Sequence, residues 1–260
     1  MAESQAGEVE AAAAMVVAAK HVVALVGAGI SVASGVPPFR GPGGLWTKYG
    51  EPGMDGYQRF LADPKGWWEE TFQRRSELAE LHEALAGATP NAGHYALAEM
   101  ERMGRLRHVI TQNIDNLHQE AGSRAVTEIH GNRHKLRCVG CGARFPLAEF
   151  TLEELPPRCP GCGGLLKSDT VMFGEPIPSD ALDECLLQTR LCDCMLLVGT
   201  SATVYPAAGF PLEVKRGGGW LIEVNPTETA VSPLCEVVLR TEAGKALPLL
   251  VERLRGRGRE

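Results

Sequence analysis

The sequence predicts an α/β protein, a doubly wound parallel sheet interrupted by a smaller metal-clamped module, and three observations carry that reading. Short apolar runs such as HVVALVG (21–27), RLRHVIT (105–111) and CMLLVGTS (194–201) alternate with helical patterns, as parallel strands joined by helical crossovers do. The residues that end these runs are small, hydroxyl-bearing or amide-bearing, and open α/β sheets bind ligands beyond the carboxyl ends of their strands. Cys138, Cys141, Cys159 and Cys162 spell C-x2-C-x17-C-x2-C, the spacing of a tetrahedral thiolate zinc site.

Taken in order, the Ala-rich residues 5–19 read as a first helix. Residues 21–27, β-branched and closed by Gly, read as a strand buried on both faces. GAGIS turns the chain, and the Pro/Gly-rich stretch 35–53 is loop. Helical patterns over 57–86 break near Asp63-Pro64, and 91–104 forms an amphipathic helix stopped by Gly104. Strands come next at 105–111 and 125–131, then the cysteine-bearing insertion over 132–167, and VMFGEPIP (171–178) returns to the main body. Helices at 179–192, 206–217 and 243–255 alternate with strands at 194–201, 220–226 and 236–240. No internal repeat is visible.

A chain of 260 residues can bury one good core and a satellite module. Its 44% hydrophobic and 22% charged content is that of an ordinary globular protein. The net charge of −6 gives no basis for a specific nucleic-acid partner or a membrane surface. Arg253, Arg255, Arg257 and Arg259 read as a solvated tail rather than a site for an acidic partner. No run is long enough to span a bilayer. The apolar stretch 11–19 comes after Glu3, Glu8 and Glu10 and stops at Lys20, unlike a secretory signal. A reducing, cytoplasmic home is therefore expected, with four thiolates on zinc. Cys185, Cys192, Cys194 and Cys235 are expected as core or surface thiols.

Each candidate site has a plain alternative. GAGISVASG (27–35) comes directly after a strand, so Gly27 and Gly29 let the backbone approach a pyrophosphate or simply make a tight turn. Val32 stands where the third glycine of G-x-G-x-x-G would be, and no acidic residue closes a second strand, which disfavours a hydride-transferring dehydrogenase. GTSATVYP (199–206) and EVNPT (223–227) repeat the pattern of a strand and then small residues. Four strand ends, Gly27, Thr111, Gly199 and Asn225, thus suit one pocket assembled from several loops. Gln112, Asn113 and Asp115 either bind an amide-bearing ring and ribose hydroxyls or cap the next helix. His130 is either a general base, its ordinary pKa of about 6.5 being right for neutral pH, or a structural histidine. Four thiolates leave a zinc ion no open position, so the metal is structural and stands in for a core that the short ligand loops lack.

These residues resemble the sirtuin family, the NAD-dependent protein lysine deacylases. The motifs run in the family's order across residues 12–250: GAGISVASGVPPFRG (27–41), TQNIDNLHQEAG (111–122), EIHGN (128–132), the paired cysteines, TVMFGE (170–175), GTSATVYPAAGFP (199–211) and EVNP (223–226). The resemblance implies a Rossmann-like domain built from 1–36, 91–131 and 171–260. It also implies a small domain made of a helical insertion (37–90) and a zinc ribbon (132–170). NAD would lie between them, and an acylated lysine of a protein or peptide would enter from the opposite side. Gly27, Ala28, Gly29, Ile30, Ser31 and Arg40 would surround the phosphates and ribose, with Phe39 shielding the reactive ribose face and Trp46 in the same set. Gln112, Asn113, Ile114 and Asp115 would hold the nicotinamide end. Gly199, Thr200, Ser201, Asn225, Pro226, Thr227 and Ala243 would hold the adenosine half. Val171, Phe173, Gly174 and Glu175 would flank a peptide added as a β-strand.

The chemistry so implied consumes NAD. The acyl oxygen attacks C1′ of the nicotinamide ribose, nicotinamide leaves, and His130, with Asn113 and Asp115, serves the later steps that yield free lysine and O-acyl-ADP-ribose. Burying a weakly nucleophilic amide oxygen against a cationic leaving group, with water excluded, favours that displacement. Two positions depart from the family. Lys167-Ser168-Asp169 replaces the usual K-P-D, and Thr71 with Arg74 replaces the Tyr/Arg pair of desuccinylating members. Deacetylation leads, while removal of succinyl or longer apolar acyl groups stays open. Mono-ADP-ribosyl transfer at the same site is the other enzymatic outcome. A non-catalytic NAD sensor is disfavoured by the joint presence of His130, Asn113 and Asp115.

Overall fold

Six short strands form a fully parallel sheet in the computed structural model, which describes residues 2–41, 43–72, 79–150 and 154–257. They are β1 (Val22–Val26), β2 (His108–Thr111), β3 (Val126–Glu128), β7 (Cys194–Val198), β8 (Trp220–Val224) and β9 (Val237–Leu239), in the order β3-β2-β1-β7-β8-β9. The chain works outward from β1 in one direction and from β7 in the other, so the order reverses between them. Val26 lies in register with both Thr111 and Val198, and Val198 with Val224. The next residues, Gly27, Gln112, Gly199 and Asn225, therefore emerge at one level above the switch point, where such sheets bind ligands.

Alternation along the strands divides the core between two faces. Val22, Ala24 and Val26, with Leu196, Val198, Ile222 and Val224, face α1 (Ala2–Ala18), α6 (Ala92–Arg102) and α10 (Ala243–Arg255) through Val16, Leu97, Met100, Leu247 and Leu250. Val23, Leu25, Met195, Leu197 and Leu221 face α8 (Ser179–Leu191) and α9 (Phe210–Arg216) through Cys185, Phe210 and Val214. Each buried Val, Leu, Ile, Met or Phe among them contributes about 1.5–3 kcal/mol by leaving water. Cys185, Cys192 and Cys194 are buried, and burial pushes all three thiols up, Cys185 and Cys192 to about 12. They behave as small apolar residues.

The two insertions meet. Residues 37–90 fold into α2 (Leu45–Tyr49), α3 (Gly56–Ala62), α4 (Pro64–Phe72) and α5 (Ala79–Gly87), so the stretch read as loop over 35–53 contains one helical turn. The cysteine-bearing segment makes an antiparallel sheet of β4 (Lys135–Cys138), β5 (Arg144–Pro146) and β6 (Leu166–Ser168), in the order β5-β4-β6. Phe60 and Trp68 pack on Leu136, Cys138 and Leu166, and Trp68 Nε1 donates to the Leu166 carbonyl at 3.1 Å. A buried charge network ties this module to the chain that leaves it. Arg137 pairs with Asp169 (2.8 Å) and Glu175 (2.7 Å), and Lys167 pairs with Glu175 (3.1 Å). Lys167, at the departure noted in the sequence, also donates to the carbonyls of Ser168 and Thr170. Among the described residues no helix is long and apolar enough to cross a membrane.

Candidate active site

A cleft of about 2360 Å³ opens above the switch point, between the sheet and the two insertions. Small-molecule pockets usually occupy about 300–1,000 Å³, so this one has room for more than one ligand. Gly27, Ala28, Gly29, Gln112, Asn113, Ile114, His130, Gly199, Thr200, Ser201, Asn225, Pro226 and Thr227 line it from the sheet side. Phe39, Arg40, Trp46 and Thr71 line it from the helical insertion, and Val171, Phe173, Gly174 and Glu175 from the returning segment. Residues scattered across most of the chain thus share one space. Arg74 falls outside the described residues.

Gly29 and Gly199 are glycines because their backbones touch. A Cβ on Gly29 would lie 2.6 Å from Gly199 Cα, and Gly199 adopts φ +57, a region that disfavours other residues. Gly29 N donates to Gly199 O at 2.9 Å. The glycine pattern, expected from the sequence to serve ligand approach, first brings the β1 and β7 loops together. The chain after β1 makes two short 3₁₀ turns, Ala28–Ile30 and Val32–Ser34.

Beneath the cleft floor lies a closed set of buried hydrogen bonds. Ser31 Oγ donates to Asp115 Oδ2 at 2.7 Å and accepts from Asn113 Nδ2 at 3.1 Å. Asp115 Oδ1 accepts from Leu117 N at 3.1 Å. His94 Nδ1 accepts from Asn91 N at 3.3 Å, which puts the proton on Nε2, 3.4 Å from Ser31 Oγ. Ser31 is fully buried and Asp115 nearly so; they support Asn113 from below. Ile30 and Ala243 are also buried, and Glu242, beside Ala243, reaches the cleft. Asn91 and His94 were missed in the sequence. Their signal is the N-x-x-H spacing of a reciprocal cap, which opens α6 here while Asn91 Nδ2 also donates to Ile30 O and Ser34 Oγ, both at 2.8 Å.

His130 stands just beyond β3 at the same level. Its Nδ1 lies 3.1 Å from the Gln112 carbonyl, an acceptor only, so Nδ1 carries the proton and Nε2 holds the free lone pair. Burial pushes its pKa below the ordinary imidazole value, against a smaller upward pull from the Gln112 carbonyl. The ring is neutral at pH 7 and able to accept a proton. Gln112 Nε2 donates to Thr200 Oγ1 (2.8 Å) and Asn225 Nδ2 to Thr200 O (3.1 Å), so these amides brace neighbouring strand ends.

The opposite wall is aromatic. Phe39 and Trp46 lie 5.0 Å apart, Trp46 and Phe173 5.6 Å, and the Arg40 guanidinium stands 4.4 Å over the Trp46 ring while pairing with Glu51 at 2.8 Å. Val171 N donates to His130 O at 2.8 Å, which sets the returning segment beside the histidine. Thr71 Oγ1 donates back to Trp67 O at 2.8 Å within its own helix.

Away from the cleft, the sulfurs of Cys138, Cys141, Cys159 and Cys162 lie within 4.8 Å of one another, with Cys138–Cys162 at 3.5 Å and Cys141–Cys159 at 3.8 Å. A tetrahedral ion with metal–sulfur bonds of about 2.3 Å requires edges of about 3.8 Å. The set fits a metal ion of that geometry.

The Sir2 family model matches residues 27–206. The chain is 44% identical over 243 residues to the NAD-dependent protein deacylase 2 of Pyrobaculum aerophilum, covering 94% of each chain. It is 44% identical over 250 residues to the NAD-dependent protein deacylase of Thermococcus kodakarensis, covering 94% of this chain and 95% of that one. A crystal structure of a Sir2 homologue with NAD superposes with a TM-score of 0.80 at 40% identity, covering 95% of this chain and 94% of that one. A Sir2–p53 peptide–NAD+ complex superposes at 0.75 with 33% identity, covering 92% and 95%. Motif order, sheet topology and these likenesses agree: the chain belongs to the Sir2 family.

Proposed function

We propose that this protein is an NAD-dependent protein lysine deacylase, with acetyl-lysine as its leading substrate. The observation that carries this reading is the convergence of a neutral, proton-accepting His130 with Asn113, braced by Ser31 and Asp115, in one strand-end cleft. The relatives' deacylase names and the NAD complex of a Sir2 homologue support it.

NAD, as co-substrate, would supply the ribose C1′ at which the acyl oxygen bonds as the glycosidic bond breaks and nicotinamide leaves. This chain's residues do the rest. His130 Nε2 accepts the proton of the ribose hydroxyl that attacks the acyl carbon, and Gln112, through its carbonyl, holds the ring for that task. Asn113, Ile114 and Gln112 orient the nicotinamide end. Phe39, Trp46 and Phe173 exclude water from the reacting centre. Arg40, fixed by Trp46 and Glu51, faces the phosphates with Ala28 and Gly29. Thr200, Ser201, Asn225, Pro226 and Thr227 hold the adenosine half. Val171, Phe173, Gly174 and Glu175 offer an edge to which an extended peptide adds.

The shared core of Phe60, Trp68 and Leu136 supports a division into a Rossmann-like domain (1–36, 91–131, 171–260) and a small domain (37–90 with 132–170). We assign zinc to the four cysteines as a structural ion, and a reducing, cytoplasmic compartment that keeps those cysteines out of disulfides. Incubating the protein with NAD labelled in its adenosine half and an acetyl-lysine peptide tests the reading. Label is expected in O-acetyl-ADP-ribose, with the peptide deacetylated. Label on protein with the peptide still acetylated would instead mark an ADP-ribosyltransferase.

A further inference from the structure

Lys167, in β6, is buried, with 1% of its side chain exposed. An ammonium group has three donors and no acceptor, and burying it without partners is costly. Lys167 directs its Nζ to the carbonyls of Ser168 (2.7 Å) and Thr170 (2.8 Å) and to Glu175 Oε2 (3.1 Å). All three partners belong to one short stretch, 168–175, by which the chain leaves the cysteine-bearing module and lines the cleft. Glu175 closes the same turn from its far end. Its Oε2 also accepts from Met172 N at 2.9 Å, and its Oε1 accepts from Arg137 Nη2 at 2.7 Å. That carboxylate is 3% exposed, so it is committed inside the turn and not offered to a ligand.

The outer side of the turn meets other parts of the site. Val171 N donates to His130 O at 2.8 Å, and Tyr57 N, from the helical insertion, donates to Phe173 O at 3.0 Å. Gly174 adopts φ +78, and a Cβ there would lie 2.2 Å from the Met54 carbonyl. We infer that Lys167 is a positioning residue for the substrate peptide: its three donors close the 168–175 turn and hold the Val171–Gly174 edge where the peptide main chain adds. This assignment rests on the deacylase reading and deepens it. Removing the ammonium leaves Arg137 on Asp169 and Glu175, so the module keeps its other ties. His130 is held separately, by its ring to the Gln112 carbonyl and by Ile129 N to Thr111 O at 3.0 Å. The loss should therefore fall on peptide binding and spare the histidine.

The test measures kcat and KM for an acetyl-lysine peptide at saturating NAD, with NAD binding followed by calorimetry, in wild type, Lys167→Met and Lys167→Arg. In Lys167→Met the peptide KM is expected to rise about tenfold or more, as for loss of charge-assisted hydrogen bonds. Its kcat should stay within about threefold and its NAD affinity unchanged, the signature of lost peptide binding alone. Lys167→Arg, which keeps a charged donor, should recover part of the KM. A wild-type peptide KM in Lys167→Met overturns the assignment. So does weaker NAD binding that matches the peptide loss, the mark of a merely structural lysine, and so does a Lys167→Arg protein no better than Lys167→Met. Absence of NAD-dependent turnover of any acyl peptide by wild type overturns the deacylase reading itself, before any variant is compared.

Discussion

Ser31 Oγ donates a 2.7 Å hydrogen bond to Asp115 Oδ2, although the two residues lie 84 positions apart and both are buried. Asn113 Nδ2 and His94 Nε2 point at the same hydroxyl, so one serine oxygen joins the β1 loop, the β2 loop and the start of α6. A charge-assisted bond of this kind contributes about 1.5–3 kcal/mol.

Ser31→Ala should therefore leave a carboxylate oxygen and an amide unpaired beneath the cleft floor. We expect a loss of about 1–3 kcal/mol in stability and at least a tenfold fall in kcat/KM for NAD, read by denaturant unfolding and nicotinamide release. Stability and activity both at wild-type levels would show that the hydroxyl bears neither role.

As the proposed general base, His130 must be neutral to act. Burial sets its pKa below 6.5, so the base form persists below that pH. The rate should decline only as pH falls through the lowered value. A kcat profile whose acid limb lies above pH 6.5 would mean that another group controls it.

His94 and His118 resist protonation in the folded protein, and their pKa values fall to about 4 and about 3, burial being the main cause. The unfolded chain takes up these protons below about 6.5 while the native state refuses them. Stability should thus drop as pH falls from about 6.5 toward 4 and then 3. Among the described residues neither ring nitrogen of His118 has a hydrogen-bond partner, and the ring packs edge-on against His94 at 5.0 Å. His118→Phe should accordingly stabilise the protein by about 1 kcal/mol and flatten the acid dependence. Thermal unfolding at pH 7 and pH 5 measures both, and a lower Tm at both values would refute the expectation.

With zinc held by the four cysteines as proposed, its removal should melt the small module before the sheet. With the ion gone, Cys138, Cys141, Cys159 and Cys162 would be four crowded thiols around a core of few residues. Chelation, or Cys141→Ser, is expected to lower Tm and abolish peptide turnover while the six-stranded sheet keeps its circular-dichroism signal. A measured zinc content of zero with full activity would contradict the structural assignment.

The β-branched runs foretold the sheet well because strands buried on both faces leave a continuous apolar record, as Val22–Val26 and Cys194–Val198 do. The strand-end residues were legible for the same reason: the polar residue that closes an apolar run stands out against it. The contacts between distant segments were not. Trp68 meets Leu166 across 98 positions, and nothing local records that pairing. Gly29 showed in the sequence as a residue for ligand approach or a tight turn and Gly199 as a small strand-end residue, and the structure adds their mutual contact. His94 read as one more residue of an amphipathic helix because its cap with Asn91 looks local, while its other hydrogen-bond partner, Ser31, is 63 positions away.

The most direct measurement compares wild type with His130→Ala, each given NAD and an acetyl-lysine peptide, while calorimetry tracks NAD binding and mass spectrometry tracks the peptide. We expect wild type to release nicotinamide only when acylated peptide is present, and the variant to bind NAD yet leave the peptide acetylated. Deacetylation by His130→Ala at the wild-type rate would contradict the central role given to that histidine.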